Sequence, residues 1–201
     1  MMRMWFCLAL GALLGGCANA PSNVGNICEI FREKGGWYND AKKASQQWGS
    51  PIPTMMAMMH QESRFRAKAK PPRKYFLGII PAGRISDAYG FAQAKDDTWD
   101  WYIDKSGSRG ADRDDFDDAI DFVGWYNQQS SRMCHIKPED TYHLYLAYHE
   151  GHGGFNRRTY TNKEWLKRVA HKVSARAQSY SQQLASCREE LERGGWFFGW
   201  F

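Results

Sequence analysis

The chain has 201 residues, of which 43% are hydrophobic and 24% are charged, and its formal net charge is +5. This length and composition predict one folded domain with its own core, and they exclude a disordered chain. The basic excess is mild and is spread along the whole chain without a Lys/Arg-rich block. Because no helix-turn-helix, zinc-finger or basic aromatic strand motif accompanies it, nucleic acid is not expected as a partner.

The N-terminal residues predict export. Arg3 is followed by an apolar run over residues 4–14, which is shorter than the roughly 20 residues that span a bilayer. The run leads into a Leu-Gly-Gly-Cys tetrapeptide that ends at Cys17. This pattern resembles the lipobox of bacterial lipoproteins, in which the cysteine becomes the lipid-modified N-terminus. A conventional secretory leader with an incidental cysteine is the alternative.

The lipobox resemblance implies an anchored protein. Residues 1–16 would form the signal peptide, Cys17 would be lipidated, and residues 17–26 would be a short tether. Ala18 follows the cysteine in place of an aspartate, which in such lipoproteins favours the outer membrane. We therefore expect the protein on the periplasmic side of the outer membrane, held by several acyl chains.

Export would leave three cysteines in an oxidising compartment, Cys28, Cys134 and Cys187. Three thiols permit one bridge. Cys28 opens the first predicted helix and Cys187 lies near the end of the last, so a disulfide between them would close nearly the whole domain into a loop. We expect this pair, which would contribute at most about 5 kcal/mol, and a free thiol or simply a buried side chain at Cys134.

Apolar residues recur every three or four positions through most of the mature chain, which predicts helices. Proline and glycine are frequent over residues 66–93, which predicts a long ordered loop there. Strand-like alternation is nearly absent, so we expect an all-α fold, a single helical lobe around a cleft. Helices are predicted near residues 27–31, 37–48, 54–65, 97–105 and 113–132, from 138 to the glycines at 151–154, and over 163–193.

Glu62 is the acidic residue best placed for chemistry. Its neighbours at helical spacing are Met58, Met59 and Phe65, all of them apolar. Desolvation raises the pKa of a carboxylic acid in such surroundings, as a general acid working near neutral pH requires. A solvated or capping glutamate at a helix end is the alternative.

Three motifs occur in order along the chain. They are Glu62-Ser63, the segment Ala88-Tyr89-Gly90-Phe91-Ala92-Gln93, and the segment Ala147-Tyr148-His149-Glu150-Gly151. Together they resemble the SLT-type lytic transglycosylases, which have a lysozyme-like helical domain, over residues 27–184. The SLT domain is expected over residues 27–187, followed by an aromatic tail over 188–201. Departures from the family pattern are Phe91-Ala92 in place of Leu-Met, and His149-Glu150 in place of Asn-Ala.

The resemblance implies a peptidoglycan lytic transglycosylase that acts on glycan strands as a monomer, without a cofactor. Glu62 would serve as acid and then as base in cutting the bond between N-acetylmuramic acid and N-acetylglucosamine, leaving a 1,6-anhydro end. Ser63 and Tyr148 would orient groups near Glu62, and Gln93 would hold the sugar or its acetamido group. Candidate walls for stacking on sugar faces are Tyr89, Phe91 and Tyr145, with ordinary core packing as the alternative.

Other interpretations remain open at this stage. If Glu150, a further candidate for substrate contact, faces Glu62, the two carboxylates would permit lysozyme-type hydrolysis; Glu150 would otherwise brace the backbone of its loop. The domain could also bind peptidoglycan without cleaving it.

His149 and His152 are three residues apart rather than four, so no metal site is expected. The aromatic residues 196–201 would contact a membrane interface, a partner or the domain itself.

Overall fold

The computed structural model describes residues 20–76 and 80–194. The predicted signal peptide, Cys17 and the aromatic residues 196–201 lie outside the described residues. In chain order the elements are α1 (Ile27–Glu33), α2 (Trp37–Trp48), α3 (Ile52–Ser63), β1 (Arg73–Phe76), β2 (Ile80–Arg84), α4 (Asp96–Ser106), α5 (Phe116–Cys134), α6 (Thr141–Asn156) and α7 (Glu164–Gly194). The predicted all-α fold is confirmed, and α7 extends seven residues into the segment predicted as the tail.

A short hairpin interrupts the predicted loop over residues 66–93. Strands β1 and β2 pair antiparallel, with Arg73 opposite Arg84 and Phe76 opposite Ile80. The sequence analysis placed no strand here, because four or five residues broken by Pro81 give no clear alternation. Two such strands are marginally stable alone, and the end of β2 also bonds to the chain before β1, because Arg84 Nη1 donates to the carbonyl of Pro71.

Helix α3 lies in the centre of the domain and packs against α2, α5 and α7. All five residues from Met55 to Met59 are fully buried, as expected for a helix that is apolar on every face. The helix begins after Pro51, whose fixed φ suits a helix start. It ends where Arg64 and Phe65 adopt left-handed backbone conformations, with φ of 53° and 58°. This turn fixes Glu62 and Ser63 in the last turn of a buried helix.

The two ends of the domain are joined covalently. Cys28 in α1 and Cys187 in α7 form the expected disulfide, with their Cα atoms 6.1 Å apart and a sequence separation of 159 residues. The segment before α1 is also attached to the domain, because the Tyr180 hydroxyl donates to the carbonyl of Val24. Cys134 is a free, half-buried thiol whose pKa is raised by burial. Among the described helices, none is long and apolar enough to cross a membrane.

Candidate active site

Glu62 is a half-buried carboxyl group in the last turn of α3. Burial raises its pKa from 4.5 to about 7, and a hydrogen bond from the Tyr145 hydroxyl acts in the opposite direction. No other carboxylate of the described residues perturbs this pKa. Near neutral pH both the protonated and the ionised form of the group are therefore accessible, and it can donate or accept a proton.

Two tyrosines of α6 face Glu62. Tyr145 and Tyr148 are three residues apart, so they lie on the same side of the helix. Burial, followed by the nearby Glu62 carboxylate, raises the pKa of both phenols well above 10. Both hydroxyls therefore remain protonated. Tyr145 is only 4% exposed and interacts with Glu62, so it has the position of a carboxylate partner rather than of the sugar-stacking wall for which it was a candidate.

The loop that contains Gly90 and Gln93 is held in one conformation. Gly90 has φ of 80°, and a Cβ atom there would lie 2.0 Å from the carbonyl oxygen of Arg113, so only glycine fits. The Tyr148 hydroxyl donates to the carbonyl of Ala92 over 2.6 Å. Tyr148 of α6 thus lies near Glu62 and also contacts the loop.

The side-chain amide of Gln93 has a defined orientation. Its Nε2 donates to the carbonyls of Ala69 and Gly90, over 3.0 and 2.9 Å. Two carbonyl partners require the nitrogen at this position, because oxygen cannot donate. Within the described residues the Oε1 atom accepts no hydrogen bond, so it is available as an acceptor for an N–H or O–H group.

Two of the predicted substrate contacts lie in the core instead. Ser63 is 1% exposed, and its hydroxyl donates back to the carbonyl of Met59 over 3.3 Å. Phe91 is 3% exposed and packs edge-on against Trp37 and Phe116. Neither side chain is exposed for contact with a ligand, because both are packed into the core. Ser63 supports the helix end, and Phe91 anchors the loop.

Tyr89, the remaining aromatic candidate, is half-buried. Its hydroxyl donates to Asp114 over 2.9 Å. The Lys70 ammonium lies 5.1 Å from the ring centroid, and the Arg113 guanidinium lies 5.6 Å from it. The ring is therefore fixed in an electropositive part of the surface.

Glu150 braces the backbone at the break in α6. Its side chain is 3% exposed and accepts hydrogen bonds from Lys163 Nζ at 2.8 and 2.9 Å, from Thr159, and from His149 at 3.2 Å. Burial acts to raise the pKa of Glu150, but these donors together lower it below its usual value. The next residue, Gly151, has φ of 70° and interrupts the helix. Glu150 is thus a paired anion that stabilises the backbone around this interruption of α6.

The histidines of this region also have partners. His152 is 7% exposed, stacks on Tyr126 at 4.6 Å and shares a hydrogen bond of 2.9 Å with Ser130. Burial lowers its pKa, so its ring is neutral at physiological pH. In the part of the chain that the structure describes, no three His, Cys, Asp or Glu side chains are grouped so that they could hold a metal ion.

The sequence as a whole matches one protein-family model, described as Transglycosylase SLT domain, over residues 5–187. No curated protein matches this sequence. The matched range contains the end of α3 with Glu62, the Gln93 loop, and α6 with its two tyrosines. The match covers most of the chain and includes α1 to α6 and most of α7, so the protein belongs to the transglycosylase SLT domain family, whose members act on peptidoglycan.

Proposed function

We propose that this protein is a peptidoglycan lytic transglycosylase in which Glu62 is both the general acid and the general base. It cleaves the β-1,4 bond between N-acetylmuramic acid and N-acetylglucosamine without water and leaves 1,6-anhydro ends. The observation that supports this proposal best is the Glu62 carboxyl itself, whose pKa is raised to about 7 and is not coupled to any second described carboxylate.

In the first step, the protonated Glu62 donates its proton to the glycosidic oxygen. The bond from that oxygen to C1 of the muramic acid breaks, and the acetamido oxygen of the same sugar stabilises the positive charge at C1. Ordinary glycosidases need a second carboxylate at this stage. Substrate assistance removes that need, in agreement with a single available carboxyl group.

In the second step, the Glu62 carboxylate accepts the proton of the C6 hydroxyl of the muramic acid. The C6 oxygen bonds to C1, which closes the 1,6-anhydro ring and returns Glu62 to its protonated form. A pKa near the working pH suits a group that must first give a proton and then take one.

Neighbouring groups position these events. The Tyr145 hydroxyl stabilises the Glu62 carboxylate between the two steps, because it remains a donor throughout. Tyr148 holds the loop through Ala92, and Gln93 presents Oε1 to the acetamido N–H or a hydroxyl of the sugar. Ser63 and Phe91 support this arrangement from the core.

Hydrolysis of the lysozyme type would need Glu150 as a second reactive carboxylate. Its oxygens are already occupied by Lys163, Thr159 and His149. This pairing favours the transglycosylase reaction.

The products decide between these reactions. A soluble form lacking residues 1–17 is incubated with sacculi in oxygen-18-labelled water, alongside its Glu62→Gln variant, and the released sugars are weighed by mass spectrometry. We expect products one water lighter than reducing muropeptides, free of the label and absent with the variant. Labelled reducing ends would identify a hydrolase. Binding to sacculi without any product would identify a non-catalytic peptidoglycan-binding protein.

We further propose that the protein is exported and lipid-anchored through Cys17 on the periplasmic side of the outer membrane. The Leu-Gly-Gly-Cys sequence after an apolar run supports this location. Mass spectrometry of the N-terminal peptide from membranes should show an acylated Cys17. Recovery of a Cys17→Ala variant in the outer-membrane fraction would contradict the proposal.

Replacing Tyr145 by phenylalanine should shift the pH dependence of the reaction. The Tyr145 hydroxyl lowers the pKa of Glu62, so its removal raises that pKa further above 7. Because the first step needs protonated Glu62, the alkaline limb of kcat/KM against pH should move to higher pH. Tyr148→Phe is the control, since its hydroxyl donates to Ala92, and it should leave that limb in place. An unmoved limb in Tyr145→Phe would show that another group governs it.

A further inference from the structure

A strongly basic segment follows the catalytic glutamate. Between residues 64 and 84 the sequence contains seven lysines and arginines and no aspartate or glutamate. The expectation of evenly spread charge is therefore wrong for this segment, where the cations from Arg64 to Lys70 alternate with phenylalanine and alanine residues. We define the basic strip as the exposed residues Arg64, Arg66, Lys68, Lys70, Arg73 and Arg84.

The cations of the strip lack carboxylate partners. Among the described residues, none of the six lies within ion-pair distance of an aspartate or glutamate oxygen. The nearby Asp96 is paired with Arg113 at 2.7 Å, and Asp114 accepts from Tyr89. Asp87 is the remaining acidic side chain beside the strip. Like charges held together repel one another, and an anionic ligand offsets that repulsion.

The strip borders two adjoining surface cavities. One, of about 730 Å³, is lined by Arg66, Lys68, Lys70 and Arg84 together with small side chains. The other, of about 370 Å³, is lined by Lys70, Arg84 and Tyr89, among others. Lys70 and Arg84 belong to both, so the two cavities share a positively charged edge. Both volumes lie within the range of ligand-binding pockets, and both cavities are open to the surface.

The strip is connected to the region around Glu62 and Gln93 at two points. Arg64 follows Glu62 by two residues. The carbonyl of Ala69, between Lys68 and Lys70, accepts from Gly90 N and from Gln93 Nε2, each over 3.0 Å. Lys68 and Lys70 therefore belong to the segment whose backbone contacts Gln93.

We propose that the basic strip binds the carboxylates of the peptide stems of peptidoglycan, an inference that rests on the proposed function. Each stem is joined to the lactyl group of a muramic acid, the same kind of sugar whose C1–O bond Glu62 cleaves. A glycan in the cleft thus carries an acidic peptide next to its reacting centre. The strip contributes affinity and selection of stem-bearing strands, and Glu62 performs the chemistry.

The test compares strands with and without stems. In the full chain, in detergent at low salt, Lys68→Gln, Lys70→Gln and Arg84→Gln are combined. The matched control combines Lys43→Gln, Arg109→Gln and Lys137→Gln, which remove the same charge from other exposed positions. For the strip variant we expect KM on stem-bearing strands to rise about 10-fold with kcat unchanged. For the strip variant, KM should change less than about twofold on strands freed of stems by an amidase. For the control variant, KM should change less than about twofold on both kinds of strand. An equal rise on both kinds of strand would overturn the proposal.

A binding measurement separates this inference from the proposed reaction. With Glu62→Gln present in all proteins, cosedimentation with the two kinds of strand requires no turnover. The protein with the unmodified strip should bind more stem-bearing than stem-free strands. About 0.5 M salt should abolish this preference, and so should the three substitutions of the strip variant. No preference would overturn the stem proposal even if the wild type is active. If the strip variant loses binding only to vesicles of phosphatidylglycerol and phosphatidylethanolamine, the strip is a membrane-facing surface instead. Absence of turnover in the wild type would contradict only the proposed reaction.

Discussion

Glu62→Gln should lower kcat on peptidoglycan by at least about 100-fold, because general acid–base catalysis contributes about that much or more. Glutamine preserves the size of the side chain but cannot give a proton to the glycosidic oxygen. Binding to sacculi should persist, since Gln93 and the tyrosines are unchanged. Initial rates of muropeptide release and cosedimentation measure the two properties. Glu139→Gln, an exposed site with the same change of charge, is the control and should retain full activity.

The same variant should be more stable than the wild type in alkaline solution. The native pKa of Glu62 is about 7, above its ordinary value of 4.5, so the native state retains a proton that the unfolded state releases between these values. The contribution of Glu62 to the free energy of unfolding should therefore be lost as the pH rises from about 4 to 8, by at most about 3 kcal/mol. The lowered pKa of His60 acts in the opposite sense but is common to both proteins, so the Glu62 contribution is the difference between wild type and variant. The variant lacks this cost. Urea unfolding of both proteins at both pH values measures the difference in their free energies of unfolding. A variant less stable than wild type at pH 8 would mean that the carboxylate supports the fold.

The sequence predicted the frame of the domain because its signals are local or strongly periodic. Apolar residues at helical spacing predict helices α2, α5 and α7, and Pro51 marks the start of α3. The pairing of Cys28 with Cys187 followed from their positions in the first and last helices. Such features depend on neighbours in the chain, which a sequence displays directly.

The orientation of side chains at the site could not be predicted in the same way. Whether Ser63 is exposed or buried depends on which faces of α3 pack against α2, α5 and α7, which residue type alone does not specify. The contact of Tyr145 with Glu62 depends on how α6 packs beside α3. One signal was available, because Tyr145 lies three residues from Tyr148 and must share its face of the helix.

Removal of Lys163 tests the bracing role of Glu150. Lys163→Met should cost about 2–3 kcal/mol at neutral pH, because it leaves a carboxylate that is 3% exposed without its ammonium partner. The cost lies at the low end for a buried pair, since the lysine is 41% exposed and Thr159 and His149 still donate. Adding Glu150→Gln to this variant should restore most of the stability, which urea unfolding of the two single variants and the double variant would measure.

The pH dependence and the activity of the same variants separate a brace from a catalyst. The partners of Glu150 lower its pKa in the native state, so their contribution is present above pH 4.5 and is lost as the pH falls through that lower native value. The cost of Lys163→Met should therefore disappear in acid. Glu150→Gln should keep kcat within a few-fold of wild type, because the carboxylate serves the backbone at Gly151 and not the glycosidic bond. A folded Glu150→Gln protein as inactive as Glu62→Gln would instead make Glu150 the second carboxylate of a hydrolase.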